Sequence, residues 1–79
     1  MKLGIYTIEK TLYEGEVDEI VARTVSGEIT ILPNHIPVVS KLTKGPLIIK
    51  EHSGSEKIID IGSGFIEIQP ESNVIVLAD

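Results

Sequence analysis

Apolar and polar residues alternate with a period of two along most of this chain, the pattern of half-buried strands and not of helices. The clearest stretch is 27–45, GEITILPNHIPVVSKLTKG. In 28–32 the alternation puts Ile29 and Ile31 on one face. Pro33 then ends the strand, because it has no N–H for the ladder and holds φ near −65°. Asn34 suits a turn, and Pro37 pushes Ile36 toward extended backbone. A second strand is predicted over 38–42, with Gly45 closing the unit. The stretch therefore reads as strand, rigid corner, strand, with His35 at a polar tip between two prolines and Glu28 at the acidic start beside it.

The same reading extends both ways. Residues 2–8 alternate, with Leu3 and Ile5 on one side and Tyr6 and Ile8 on the other; 9–11 read as a turn. The run 12–24 is too long for one flat strand, and Gly15 inside it predicts a bulge or bend. Beyond the bend Ile20, Ala22 and Thr24 face one way, Val21 and Arg23 the other. Ser26-Gly27 is a tight turn. After Gly45 come strands at 46–50 and 57–62, joined by a polar, glycine-containing hairpin loop at 51–56. The segment 62–69, GSGFIEIQ, and a strand at 74–79 follow, separated by a turn at 70–73. Turn signals every 8 to 12 residues are the spacing of an all-β sandwich or barrel. One domain, 1–79, is expected, with no helical pattern, repeat or linker.

Several of these strands are apolar on both faces: Val38-Val39, Leu47-Ile48-Ile49, Ile58-Ile59 and Val74 to Leu77. A two-layer domain gives each strand one inner face. A chain of 79 residues buries only about 60% of its unfolded surface. The surplus predicts an apolar patch for a partner.

Composition narrows the class. Ile and Val number 21 against 8 for Leu and Ala, which favours strands. A net charge of −5 and only three aromatics, Tyr6, Tyr13 and Phe65, argue against nucleic acid. There is no cysteine, so neither a disulfide nor a thiolate metal site exists. No apolar run reaches the roughly 18 residues of a membrane span. The first residues lack the apolar core of a signal peptide.

Candidate chemistry is sparse. Glu14, Glu16 and Asp18 would share a strand face, which suits either a cation site or a solvated outer face; no glycine-anchored ligand loop accompanies them, favouring the second. His35 as a general base would need a nucleophile and an orienting carboxylate; Ser40 and Asp60 are available, but no spacing supports them. Gly62-Ser63-Gly64 is neither a nucleophile elbow nor a dinucleotide loop, and reads as close strand packing. Lys41, Lys44 and Lys50 could form a small basic edge. No catalytic residue, cofactor or metal site is expected. A lipoyl- or biotinyl-type carrier, the competing class, needs a lysine in Ala-Met-Lys-Met or Asp-Lys-Ala, and neither occurs.

Three ordered segments resemble the epsilon subunit of F-type ATP synthases, called delta in mitochondria. Gly27, Glu28, Ile31, Leu32, Pro33, His35, Pro37, Leu42 and Gly45 match its Gly-Glu-x-Gly-Ile-Leu-Pro-x-His-x-Pro segment and the strand after it. Residues 12–21, LYEGEVDEIV, and 62–79, GSGFIEIQPESNVIVLAD, resemble two more. Thr30 and Ser63 stand where the family usually has glycine. The resemblance implies a ten-stranded β-sandwich of two five-stranded sheets. It implies a non-catalytic central-stalk subunit that docks on the gamma subunit and the c-subunit ring and couples ion translocation to ATP synthesis or hydrolysis. It implies a peripheral position, on the cytoplasmic face of a bacterial membrane or the stromal side of a thylakoid, with the membrane reached only through the complex. Glu28, Asn34 and His35 become the expected partner-binding residues. The family's C-terminal helical hairpin has no counterpart in 1–79, so hairpin-type inhibition and ATP sensing are not expected of these residues.

Overall fold

The computed structural model describes residues 1–79 in full. Eight strands account for nearly all of them: β1 (Lys2–Tyr6), β2 (Thr11–Thr24), β3 (Gly27–Ile31), β4 (Val38–Leu42), β5 (Gly45–Glu51), β6 (Glu56–Ile61), β7 (Gly64–Gln69) and β8 (Asn73–Ala78). No helix forms, as the period-two alternation and the Ile/Val excess require.

The long strand β2 organises the rest. Val17 exchanges both backbone hydrogen bonds with Met1, while the Glu16 carbonyl accepts from His52 N–H on the opposite edge. Along one edge of β2 therefore lie β1 and then β3; along the other lie β5 and then the end of β4, where Thr24 pairs Leu42. One layer runs β4-β7-β8-β1-β2 and the other β3-β2-β5-β6, with β2 in both. All pairings are antiparallel except that of β1 with β8, which sets the first strand beside the last.

A core of 14 apolar side chains fills the space between the layers. It contains the inward positions of the alternation: Leu3 and Ile5, Ile20 and Ala22, Ile31, Leu47 and Ile49, Ile66 and Ile68, Val74 and Val76. The inward set predicted beyond the bend, Ile20, Ala22 and Thr24, is buried, and Val21 and Arg23 point outward.

Two expectations are corrected. Ten strands were implied and eight are present; one of the two is accounted for by β2, a continuous strand of 14 residues that serves both layers. Counted twice, it gives five strands in one layer and four in the other. The bend expected at Gly15 lies at Asp18, where the register shifts between Val17 and Glu19. Gly15 pairs regularly with Leu3. Its missing side chain makes room for the Tyr13 ring, whose hydroxyl would lie 2.8 Å from any Cβ there.

Candidate interaction site

The corner between β3 and β4 is built by its own sequence. Pro33 takes the second position of a turn closed by His35 N–H donating to the Leu32 carbonyl at 3.2 Å. Asn34 takes the third position with φ of 66°, a left-handed conformation that asparagine tolerates and a type II turn requires. Asn34 N–H donates to Ser72 Oγ at 3.0 Å, and the Ser72 hydroxyl donates to Asn34 Oδ1 at 3.2 Å. The corner is thereby tied to the β7–β8 turn. His35 Nδ1 lies 2.8 Å from the Ile36 carbonyl, which can only accept, so Nδ1 carries the proton. Ile36 is 77% exposed, beside exposed Leu32 and Val38.

The three expected partner-binding residues are not brought together. Asn34 and His35 share the corner, but Glu28 sits near the other end of β3, opposite Arg23 and next to the Ser26-Gly27 turn. There it lines a small hollow with Arg23, Thr24, Gly27 and Thr43. A strand advances about 3.3 Å per residue, so residues either side of β3 end up well apart.

The apolar surplus is unevenly spread over the outer faces. On the five-stranded layer, Cα pairing aligns Lys41, Phe65, Leu77 and Tyr6 in one row across β4, β7, β8 and β1. The next row is Val39, Glu67, Ile75 and Gly4. Val39, Phe65 and Leu77 are each more than half exposed, and fully exposed Ile8 stands in the turn after β1. On the other layer the apolar row is Val21, Ile48 and Ile58, of which only Ile58 is exposed; a charged row, Glu19, Lys50 and Glu56, flanks it. Alternation flagged Val39 and Leu77 within their strands but neither Phe65 nor Ile8. Only the pairing gathers Val39, Phe65 and Leu77, from three strands, onto one face.

The remaining candidates fall apart in space. Glu14 and Glu16 are exposed on β2 before the bend at Asp18, and the Glu14 carboxylate accepts from the Tyr6 hydroxyl at 2.8 Å. That bond holds the phenolic proton and pushes the Tyr6 pKa up, with desolvation and the Glu14 charge adding to it. Asp18 lies 3.0 Å from His52 Nδ1 on an exposed surface. No three carboxylate or imidazole groups come close enough to hold a metal ion. Ser40 is on β4 of one layer and Asp60 on β6 of the other, so neither assembles with His35 into a triad. Lys41 and Lys50 face outward from opposite layers, which dissolves the proposed basic edge. A groove of about 550 Å³ over β1, β2 and β8 is lined by Lys2, Tyr6, Glu14 and Ile75 among others, with no buried polar side-chain atom left unpaired.

Comparison with known proteins agrees with this architecture. Residues 1–79 match the family described as ATP synthase, Delta/Epsilon chain, beta-sandwich domain. The ATP synthase epsilon chain of Alkalihalophilus pseudofirmus is 39% identical over 79 residues, covering 100% of this chain and 58% of that protein. The epsilon chain of Clostridium acetobutylicum is 44% identical, covering 100% and 59%. This chain thus spans less than two thirds of those relatives. A chain in the Euglena gracilis mitochondrial ATP synthase (OSCP/F1/c-ring) superposes with a TM-score of 0.90 at 23% identity, covering 96% of this chain and 48% of that one. One in the Tetrahymena thermophila central stalk and c-ring gives 0.80 at 18%, covering 99% and 62%. At such identities the likeness speaks for the fold alone. The family match, which runs the whole length, carries the assignment: the chain belongs to the delta/epsilon chains of ATP synthase, through the β-sandwich domain of that family.

Proposed function

We propose that this chain serves as a non-catalytic central-stalk subunit of a rotary ATP synthase. It docks on the gamma subunit, touches the c-subunit ring, and couples ion translocation to ATP synthesis or hydrolysis. The observation that carries the reading is the match of all of residues 1–79 to the family. Supporting it, two solved structures with the same fold are chains of assemblies described as F1/c-ring and central stalk/c-ring. The subunit is then peripheral to the membrane, on the cytoplasmic face in a bacterium or the stromal side in a plastid.

We assign these contacts to two surfaces and one further point. The face bearing Val39, Phe65, Leu77 and Ile8 suits gamma, because exposed apolar side chains on one sheet face gain most from being covered. The corner with Asn34 and His35 suits the polar loops of the c ring, being bracketed by prolines and tied down by hydrogen bonds. Glu28, at the opposite end of β3, marks a separate point of contact.

Adding the chain to an epsilon-depleted complex, with ATP hydrolysis and ion pumping followed together, tests the reading. The parent chain should bind and restore pumping. Phe65→Lys with Leu77→Lys should weaken binding at least tenfold. Glu28→Gln with His35→Ala should bind normally yet pump poorly, since Glu28 is exposed and His35 only half-buried, and changes outside the core cost little stability. A parent chain that does not bind, or an unimpaired Glu28/His35 variant, would sink the respective claim.

A further inference from the structure

Three residues other than glycine have left-handed backbones: Asn34 at 66°, Glu71 at 66° and Ser72 at 57°. All three lie where the corner meets the β7–β8 turn. Asparagine adopts this conformation readily; glutamate and serine do so at a cost. Gln69 pairs Asn73, so the β7–β8 loop is the three residues 70–72, and two of them, Glu71 and Ser72, hold the positive φ that glycine or asparagine takes most easily. Pro70-Glu71-Ser72 is thus a poor sequence for its own loop, and strain of this kind persists where surrounding structure enforces it.

The bonds of Ser72 supply that enforcement. Its carbonyl accepts Lys2 N–H at 2.9 Å. Its hydroxyl is used twice by Asn34, accepting from the backbone N–H and donating to Oδ1. Glycine would suit the turn better but could make neither hydroxyl bond. Asn34 in turn precedes the His35 N–H that closes the corner on Leu32. We propose that Ser72 is the positioning residue of the 32–37 corner, holding Asn34 left-handed so that His35 and Ile36 are presented in one fixed geometry. This rests on the reading of the corner as a partner contact.

Ser72→Gly separates the two roles, because it relieves the turn while removing the hydroxyl. Its melting temperature should be no lower than that of the parent chain. The backbone order parameters of Asn34 and His35 should fall from the rigid range, about 0.85, to below about 0.6. In the reconstituted complex it should bind as tightly as the parent but pump at least twofold fewer ions per ATP. Asn34→Gly, which keeps the left-handed backbone accessible and loses Oδ1, should move both readouts the same way. His35→Ala, in parallel, tests the contact itself. Unchanged order parameters in Ser72→Gly overturn the proposal. So does a pumping defect in His35→Ala that Ser72→Gly does not share. If His35→Ala pumps normally, the corner is no contact, and the inference falls with that reading.

Discussion

Tyr13 acts on two neighbours at once. Its ring covers Gly15 on its own strand, and its hydroxyl donates to Glu51 Oε2 at 2.6 Å, tying β2 to the end of β5. Burial of the ring, then the bond to Glu51 and its charge, disfavour loss of the phenolic proton and push the pKa from 10.0 up to about 12. An acid whose folded pKa is raised gives its full contribution below the unfolded value and loses it as pH rises through the folded one. Stability should therefore decline between pH 10 and about 12, and more steeply in the parent chain than in Tyr13→Phe. Tyr6, raised as well, is present in both proteins and cancels in the comparison. Equal slopes in urea midpoint against pH would refute the role of the Tyr13 proton. Single residues were only partly legible in the sequence. Alternation reveals which face a side chain takes. It does not reveal that Gly4 lies under Tyr6 as Gly15 lies under Tyr13, because ring placement depends on rotamers and space. Nor does it show that Asn34 spends its backbone N–H and side-chain oxygen on Ser72, 38 positions away in sequence.

At the scale of elements, the turns between strands were readable because proline, glycine and asparagine force them locally. The strand count was not, since it depends on whether a bent strand is interrupted. At β2 the register slips at Asp18 without breaking the strand, so the long run stays one element. The reading of Gly62-Ser63-Gly64 as close packing holds at one of its two glycines. A Cβ on Gly64 would run into the backbone of Leu77 and Ala78 on β8, the strand to which β7 is paired. A Cβ on Gly62 would find its nearest neighbour, Asp79 Cβ, at 3.9 Å, an ordinary contact. Gly64→Ala should therefore cost about 1–3 kcal/mol or more, since backbone cannot step aside as a side chain can. For a domain of this size that lowers the melting temperature by about 4 °C or more. Gly62→Ala should stay within about 0.5 kcal/mol. Equal losses in the two variants, measured by thermal melts, would show that the crowding at Gly64 is not what decides its cost.

The whole molecule depends on β2 more than on any other strand. It is hydrogen-bonded to β1, β3, β4 and β5, and it alone belongs to both layers. The parallel pairing of β1 with β8 closes the five-stranded layer only when the first and last strands meet. Neither layer has a second apolar core to fall back on, because the 14 buried residues form one cluster between them. A domain of about 80 residues holds only roughly 4–12 kcal/mol of net stability. Ile20 sits at the junction, fully buried, paired with Ile31 on one side and Ile49 on the other. Truncating it to alanine removes buried methyl and methylene groups and leaves a cavity, at a cost of about 2–5 kcal/mol. Because the core is shared, that loss should not stay in the layer where Ile20 is paired. Amide exchange at Ile66 in β7 should accelerate by the same factor as at Ile49 in β5, and urea unfolding should remain a single transition. Faster exchange confined to β3, β5 and β6 would mean that the layers open separately. A docked partner gripping one layer could then be released by fluctuation of that layer alone. If instead the amides of both layers respond together, the sandwich opens only as one cooperative unit, which is what the proposed coupling role asks of it.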